Sequence, residues 1–154
     1  MENSLKNNIG NKVSSWYQVH GRHNLPWRKN ITPYRIWISE IMLQQTQVNT
    51  AIDYFNKFIQ RYPDLKSIKS AKEDDIYALW SGLGYYRRAS YIFRAKELIH
   101  KDFNGQMPDD FDSLLSLPGI GRSTAGAILS IAFKKPYPIL DANVKKVIAR
   151  IFHK

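Results

Sequence analysis

Cysteine is missing altogether from the 154 residues. Its absence excludes disulfide cross-links, a thiol nucleophile, and any zinc or iron–sulfur centre held by this chain's own thiolates. No apolar run is long enough to span a bilayer. The opening residues, "MENSLKNNIGNK", lack the apolar stretch of a secretory signal, so a cytoplasmic protein with no membrane role is expected. Acids are scarce: 13 Asp plus Glu stand against 23 Lys plus Arg, a formal net charge of +10. That excess suits polyanions, nucleic acid before anionic membrane, although a merely soluble basic protein shows the same balance. There is no GxxxxGK[ST] loop, no HExxH pair and no GxSxG elbow. The histidines, at positions 20, 23, 100 and 153, lack metal-ligand spacing and read as surface groups, so no metal site is expected.

Sustained period-two alternation with hairpin turns is absent too, which argues against an antiparallel sheet. What is present is helical periodicity throughout. A hydrophobic content of 44 %, 13 % aromatic, supplies a core for one domain. The pattern predicts an all-α fold of about nine short helices in one unit, with a loose beginning and a frayed end. A first helix is expected over residues 8–20, carrying Val13, Trp16, Tyr17 and Val19. Thr32-Pro33 marks the start of another, with Pro at the first helical position. Ser70 and Glu73 are spaced as a capping box ahead of "DDIYALW", and Asp141 is placed as the N-cap of "ANVKKVIARIF".

The most specific motif is "LLSLPGIGRSTAGAIL". Two apolar helices joined by Pro-Gly-Ile-Gly form a tight hairpin, with Gly119 and Gly121 free to adopt turn conformations that side chains block. The second helix opens with Arg122, Ser123 and Thr124, whose free N–H groups can hold a phosphate. Ala125, Gly126 and Ala127 permit close packing. This reads as a helix-hairpin-helix, which grips a DNA backbone without reading bases, the alternative being a plain αα-hairpin.

Two carboxylates stand out. Glu40 lies in "RIWISEIMLQQTQ" among apolar and amide residues, with no Lys or Arg three or four positions away. Burial there raises a carboxyl's pKa and keeps it protonated near neutrality. Alternatively, Glu40 is a buried acid neutralised by an arginine from elsewhere in the fold. As a helix cap, Asp141 accepts backbone N–H bonds that favour its anion, with Lys145 and Lys146 one turn on. It is either that cap alone or a working anion. One carboxyl held as acid and one as anion is the pair that glycosidic cleavage requires.

"SGLGYYRRA" sets Tyr85 and Tyr86 on a glycine turn ahead of Arg87 and Arg88. An enzyme that extrudes a base needs such a wedge, with cations clamping phosphates; tyrosines at a helix start are equally often core residues. In "LPWRKN", Trp27 can stack on a base and Arg28 contact it, or Trp27 can simply pack in the core.

Together, "LPWR…TPYRIWISEIMLQQTQV", "LWSGLGYYRRA", "LPGIGRSTAGAIL" and "PILDANV" resemble the MutY-type adenine-specific DNA glycosylases of the endonuclease III superfamily. The likeness runs from about residue 12 to the end of the sequence. It implies removal of adenine mispaired with 8-oxoguanine or guanine in double-stranded DNA by a monomeric, nucleoid-associated enzyme. By this matching Glu40 protonates the adenine and later helps activate water, while Asp141 stabilises the sugar cation. Gln44 of the same motif contacts the DNA or substrate, Gln45 and Thr46 lie near the opposing base, Tyr86 is the wedge, and Asn143 supports the site. Bifunctional relatives carry a Schiff-base lysine where this sequence has Ser123, which implies a glycosylase without strong strand cleavage.

The family's motif usually has glycine where this sequence has Ala142. Residues 1–20 match the helix that begins a second lobe, 21–140 a six-helix catalytic lobe with its hairpin at 111–132, and 141–154 the start of the C-terminal lobe. The family's [4Fe–4S] cysteines and 8-oxoguanine-recognition domain have no counterpart in these residues. Two alternatives follow: a catalytically impaired DNA-binding remnant, and one half of a split glycosylase completed by another chain.

Overall fold

A computed structural model describes residues 2–152, with side chains from Asn8 onward. His153 lies outside the described residues. Among these residues nine α-helices and no strand occur. They are α1 (Glu2–His20), α2 (Pro33–Leu43), α3 (Val48–Arg61), α4 (Leu65–Ile68), α5 (Glu73–Trp80), α6 (Arg87–Asp102), α7 (Phe111–Leu115), α8 (Arg122–Ala127) and α9 (Ala142–Phe152). A 3-10 turn, Pro26–Arg28, precedes α2, and a π turn, Ile128–Ala132, continues α8.

The central helix is α2. Thr32 caps it by accepting the Arg35 N–H at 3.2 Å, and Pro33 fills the first position, where no N–H is needed. Its apolar residues point several ways: Trp37, Ile38, Ile41 and Met42 are completely buried, so neighbours surround it. Phe55 and Phe58 of α3, Ile76 and Trp80 of α5, Ile92 and Ile99 of α6, and Leu114 of α7 complete the same core. At its base, Lys96 is also buried, its ammonium donating to the Lys69 carbonyl at 3.0 Å.

The first helix begins at Glu2, six residues before the expected position 8, so the beginning of the chain is helical. Seven helices lie between residues 21 and 140 where six were expected. The additional one is α4, a single turn made by a reciprocal box in which Asp64 Oδ1 accepts the Ser67 N–H and Ser67 Oγ accepts the Asp64 N–H. The Ser70–Glu73 box does not form. Ser70 Oγ is turned back to the Ser67 carbonyl, 3.4 Å away. The true cap of α5 is Lys72, whose N–H donates to Asp75 Oδ2 at 2.9 Å.

The hairpin forms as expected. Asp110 caps α7 through the Ser113 N–H. Gly119 has φ +80, and a Cβ there would lie 2.8 Å from Tyr91 Cβ. Glycine at 119 is therefore required by both conformation and space. Gly126 explains the run of small residues: a Cβ on it would sit 2.5 Å from the Pro138 carbonyl oxygen. The extended segment that leads to Asp141 thus lies directly on α8.

The outer helices differ from the core. Trp16 (60 % exposed) and Val19 on α1, and Val147 and Ile151 on α9, are uncovered, and α9 has no buried residue.

Candidate active site

A cavity of about 530 Å³ opens between the end of α1, the 3-10 turn, α2, the π turn and the start of α9. Glu40 and Asp141 both line it. Glu40 projects from α2 and is half-buried among Ile36, Ser39 and Leu43 of the same helix. Burial, and secondarily the negative charge of Asp141, push its carboxyl up from 4.5 to about 7. Among the described residues no cation forms an ion pair with it, so the alternative of an arginine-neutralised acid is not realised.

Asp141 enters from the opposite side of the chain. Its Oδ1 accepts the Val144 N–H at 2.7 Å, and its carbonyl accepts the Lys145 N–H at 3.0 Å, which makes it the N-cap of α9. Its side chain is exposed, in contrast to Glu40. The two carboxyls therefore share one cavity but differ sharply in solvation, and it is burial that favours the protonated form of Glu40.

Trp27 is buried and packs edge-on against Phe55, ring centroids 5.4 Å apart, with part of its surface in the cavity wall. Arg28 also lines the cavity; its guanidinium donates to the Tyr17 hydroxyl and lies over that ring. Tyr17, read only as a residue of the first helix, His23, read as a surface group, and Arg22 were not expected at the site, yet all three line the cavity. His23 is held by its Nε2 contact to the Tyr17 carbonyl at 3.0 Å. Ile131 of the π turn contributes from the far wall. No local spacing announces these residues, because only the tertiary fold brings α1 and the π turn to Glu40.

A second group lies around the hairpin. Gln44 Nε2 donates to the Gly119 carbonyl at 3.2 Å, tying the end of α2 to the hairpin turn. Gln45 follows with φ +55 and an exposed side chain, and Thr46 Oγ1 donates to the Gln44 carbonyl at 3.4 Å. Gln44, Arg87, Gly119 and Gly121 share a shallow hollow. Gly121 caps α8, and Arg122 is exposed with its guanidinium over Phe111. Ser123 faces a separate hollow with Arg122 and Lys145. Asn143 is exposed on the first turn of α9 and is not among the side chains lining the Glu40–Asp141 cavity.

Tyr85 and Tyr86 are exposed together beyond Gly82 and Gly84, both at positive φ. Tyr86 is the more anchored: its ring stacks on Tyr77 and its hydroxyl accepts the Gly82 N–H at 3.0 Å. Of the two expected phosphate clamps, Arg87 is exposed and Arg88 is not. Arg88 is only 5 % exposed and donates to main-chain carbonyls of Ile41, Met42, Gln44 and Gly84. The Ile41 carbonyl already accepts the Gln44 N–H at 3.3 Å, and Arg88 adds donors to carbonyls at and just beyond the end of α2.

His100 also departs from expectation, being half-buried with Nε2 2.8 Å from the Leu65 carbonyl. Among the described residues no cluster of His, Asp or Glu is arranged to hold a metal. With no cysteine either, these residues do not fit the ligand set of a [4Fe–4S] cluster. Among the described residues no helix is long and apolar enough to cross a membrane.

The chain is 52 % identical over 140 residues to the adenine DNA glycosylase of Buchnera aphidicola subsp. Schizaphis graminum, an alignment covering 91 % of this chain and 40 % of that relative. The chain thus spans less than half the length of that relative. Its fold matches a thermostable thymine-DNA glycosylase with a TM-score of 0.88 at 26 % identity, over 96 % of this chain and 68 % of the other. A trapped endonuclease III–DNA covalent intermediate, an estranged-adenine complex, matches with a TM-score of 0.70 at 25 % identity, over 75 % and 55 % of the two chains. Residues 38–153, about three quarters of the sequence, match the HhH-GPD superfamily of base excision DNA repair proteins. The chain belongs to that superfamily.

Proposed function

We propose that this chain carries the base-releasing site of a monofunctional adenine DNA glycosylase, acting on duplex DNA. The carrying observation is the cavity shared by a half-buried Glu40, its carboxyl pushed up to about 7, and a solvated Asp141. Adenine is the base we assign, in keeping with the relative's name, and its pairing with 8-oxoguanine or guanine is assigned on the sequence motifs.

In this reading Tyr86 occupies the gap left by the extruded adenosine, and Trp27 and Arg28 receive its base. Glu40 donates its proton to a ring nitrogen of adenine, so the leaving group departs neutral. The C1′–N9 bond breaks with its electron pair going to the base. The sugar left behind carries positive charge, which the Asp141 carboxylate stabilises across the cavity. Glu40, now an anion, accepts a proton from water as its oxygen bonds to C1′, and the acid is regenerated. Ser123 has no amine to form an imine with the opened sugar, so release stops at the abasic site. Gln45, Thr46, Gly119, Gly121, Arg122 and Arg87 hold the opposing base and the phosphates, with Asn143 beside Asp141.

The test is single-turnover release of adenine from an adenine–8-oxoguanine duplex. Glu40→Gln abolishes release while duplex affinity stays within about twofold; retained release in the variant refutes the assignment. The exposed apolar faces of α1 and α9 favour a second reading, in which another chain covers them and completes the enzyme. Duplex binding without adenine release by the isolated chain, restored by a co-purifying iron-containing partner, is its signature.

A further inference from the structure

Arg88 is buried, and among the described residues no acid pairs with it. Its Nη1 donates to the carbonyls of Ile41 (3.2 Å), Met42 (2.6 Å) and Gln44 at the end of α2. Its Nη2 donates to the Gly84 carbonyl at 3.0 Å, and Nε makes a longer contact of 3.4 Å with the Tyr85 carbonyl. The guanidinium plane is flanked by Trp80 and Tyr85, centroids 5.3 and 5.5 Å away. Among the described residues the side-chain ion pairs do not include it.

A buried cation without a counter-ion is costly unless its donors are satisfied. Here the satisfaction comes from main-chain oxygens in two turns more than 35 residues apart in sequence. Each of those turns holds a non-glycine residue in the left-handed region, Gln45 at φ +55 and Tyr85 at φ +50. Such conformations cost of order 1–3 kcal/mol and persist only where surroundings enforce them. The fork of a guanidinium is what can enforce both at once, because its separate nitrogens address separate segments.

We infer that Arg88 is a positioning residue that locks the turn after α2 and the turn before α6 into one unit, holding Gln45 and Tyr85–Tyr86 at a fixed separation. What those side chains do rests on the proposed function, in which one turn faces the opposing base and the other supplies the wedge. The locking itself concerns the fold alone. Gln44 extends the unit to the hairpin through its bond to the Gly119 carbonyl.

Amide hydrogen exchange on the full chain tests the coupling. The reporters are the bonded amides of Gln44 and Thr46 in one turn and of Leu83 and Arg88 in the other. In Arg88→Met all of them exchange at least about tenfold faster, while amides in the body of α6 do not. Release of one turn without the other overturns the proposal, as does no change in either. Should Arg88→Met fail to fold, Arg88→Lys decides. Its ammonium keeps the charge and three donors but lacks the planar fork whose separate nitrogens span the two turns, so at least one is released; full protection of both overturns the lock.

A second readout is the fluorescence rise of 2-aminopurine placed at the extruded position of a bound duplex. A lock that positions the wedge predicts a rise in the parent chain that falls several-fold in Arg88→Lys at near-equal affinity, and an unchanged rise overturns the positioning role. A parent chain that binds without any rise condemns the base-extruding reading, and hydrogen exchange still decides whether the two turns are locked.

Discussion

Replacing Glu40 by glutamine should stabilise the protein in a way that depends on pH. The carboxyl is pushed up from 4.5 to about 7, chiefly by burial and then by the charge of Asp141. Between those values the folded state holds more protons than the unfolded state, so stability falls as pH rises through the interval. Below pH 4.5 Glu40 is neutral in both states, and the amide is a fair mimic of the neutral acid. Above pH 7 the folded chain must carry a half-buried anion near another anion, whereas the variant need not. At about 1.36 kcal/mol per pH unit, the interval is worth up to roughly 3 kcal/mol. For a chain of this size that is a rise in Tm of roughly 6–12 °C at pH 8. Thermal melts of both proteins, followed by circular dichroism from pH 4 to 8.5, read it directly. The two curves should coincide at pH 4 and separate between pH 4.5 and 7. A difference that is flat across this range refutes the assignment of a raised carboxyl to Glu40.

Catalysis should show the same group with the opposite consequence. Single-turnover adenine release should be level below pH 7 and fall about tenfold per unit well above it, as the acid is lost. Asp141→Asn removes the secondary cause of the shift, so the residual activity of that variant should begin to fall at lower pH. Gly126→Ala should cost about 1–3 kcal/mol of stability, because the new methyl meets the Pro138 carbonyl at 2.5 Å. It should slow release more than it weakens duplex binding, since the displaced segment carries Asp141. Duplex affinity should drop at least about tenfold between 50 and 200 mM salt, the loss expected for as few as two neutralised phosphates. Salt-insensitive binding contradicts the assigned partner.

The residues that declare themselves in sequence are those whose requirement is local. Thr32-Pro33, Gly119 and the Asp141 cap each answer to backbone geometry within a few positions, and each stands where the pattern puts it. Glu40 is legible because its helical neighbours lack a cation. Arg88 is not: beside Arg87 it reads as surface charge, and only the carbonyls of α2, far off in sequence, draw it inward. The place of Tyr17 and His23 at the site is hidden for the same reason, since nothing in their neighbourhood foretells Glu40 across a cavity. The Ser70–Glu73 spacing misleads because Ser70 turns back to the Ser67 carbonyl and the cap of α5 falls two residues later. Asp64 and Ser67 cap α4 by themselves, and Lys72 with Asp75 cap α5.

The cost of keeping Glu40 where it is has to be met by the helix that carries it. Four of the α2 side chains nearest to it in sequence, Trp37, Ile38, Ile41 and Met42, are completely buried. At about 2 kcal/mol each their burial contributes roughly 8 kcal/mol, more than twice the largest cost assigned to the ionised acid. That margin explains why a group so poorly solvated sits on a helix and not on a loop. A loop would relax and let water reach the carboxyl, and its pKa would return toward 4.5. The surrounded helix cannot rotate Glu40 outward without exposing a tryptophan or an isoleucine. Asp141 stands in the reverse setting, an exposed cap on a helix with no buried residue. The difference between the two carboxyls therefore follows from the difference between their helices, one enclosed on nearly every side and one open to water.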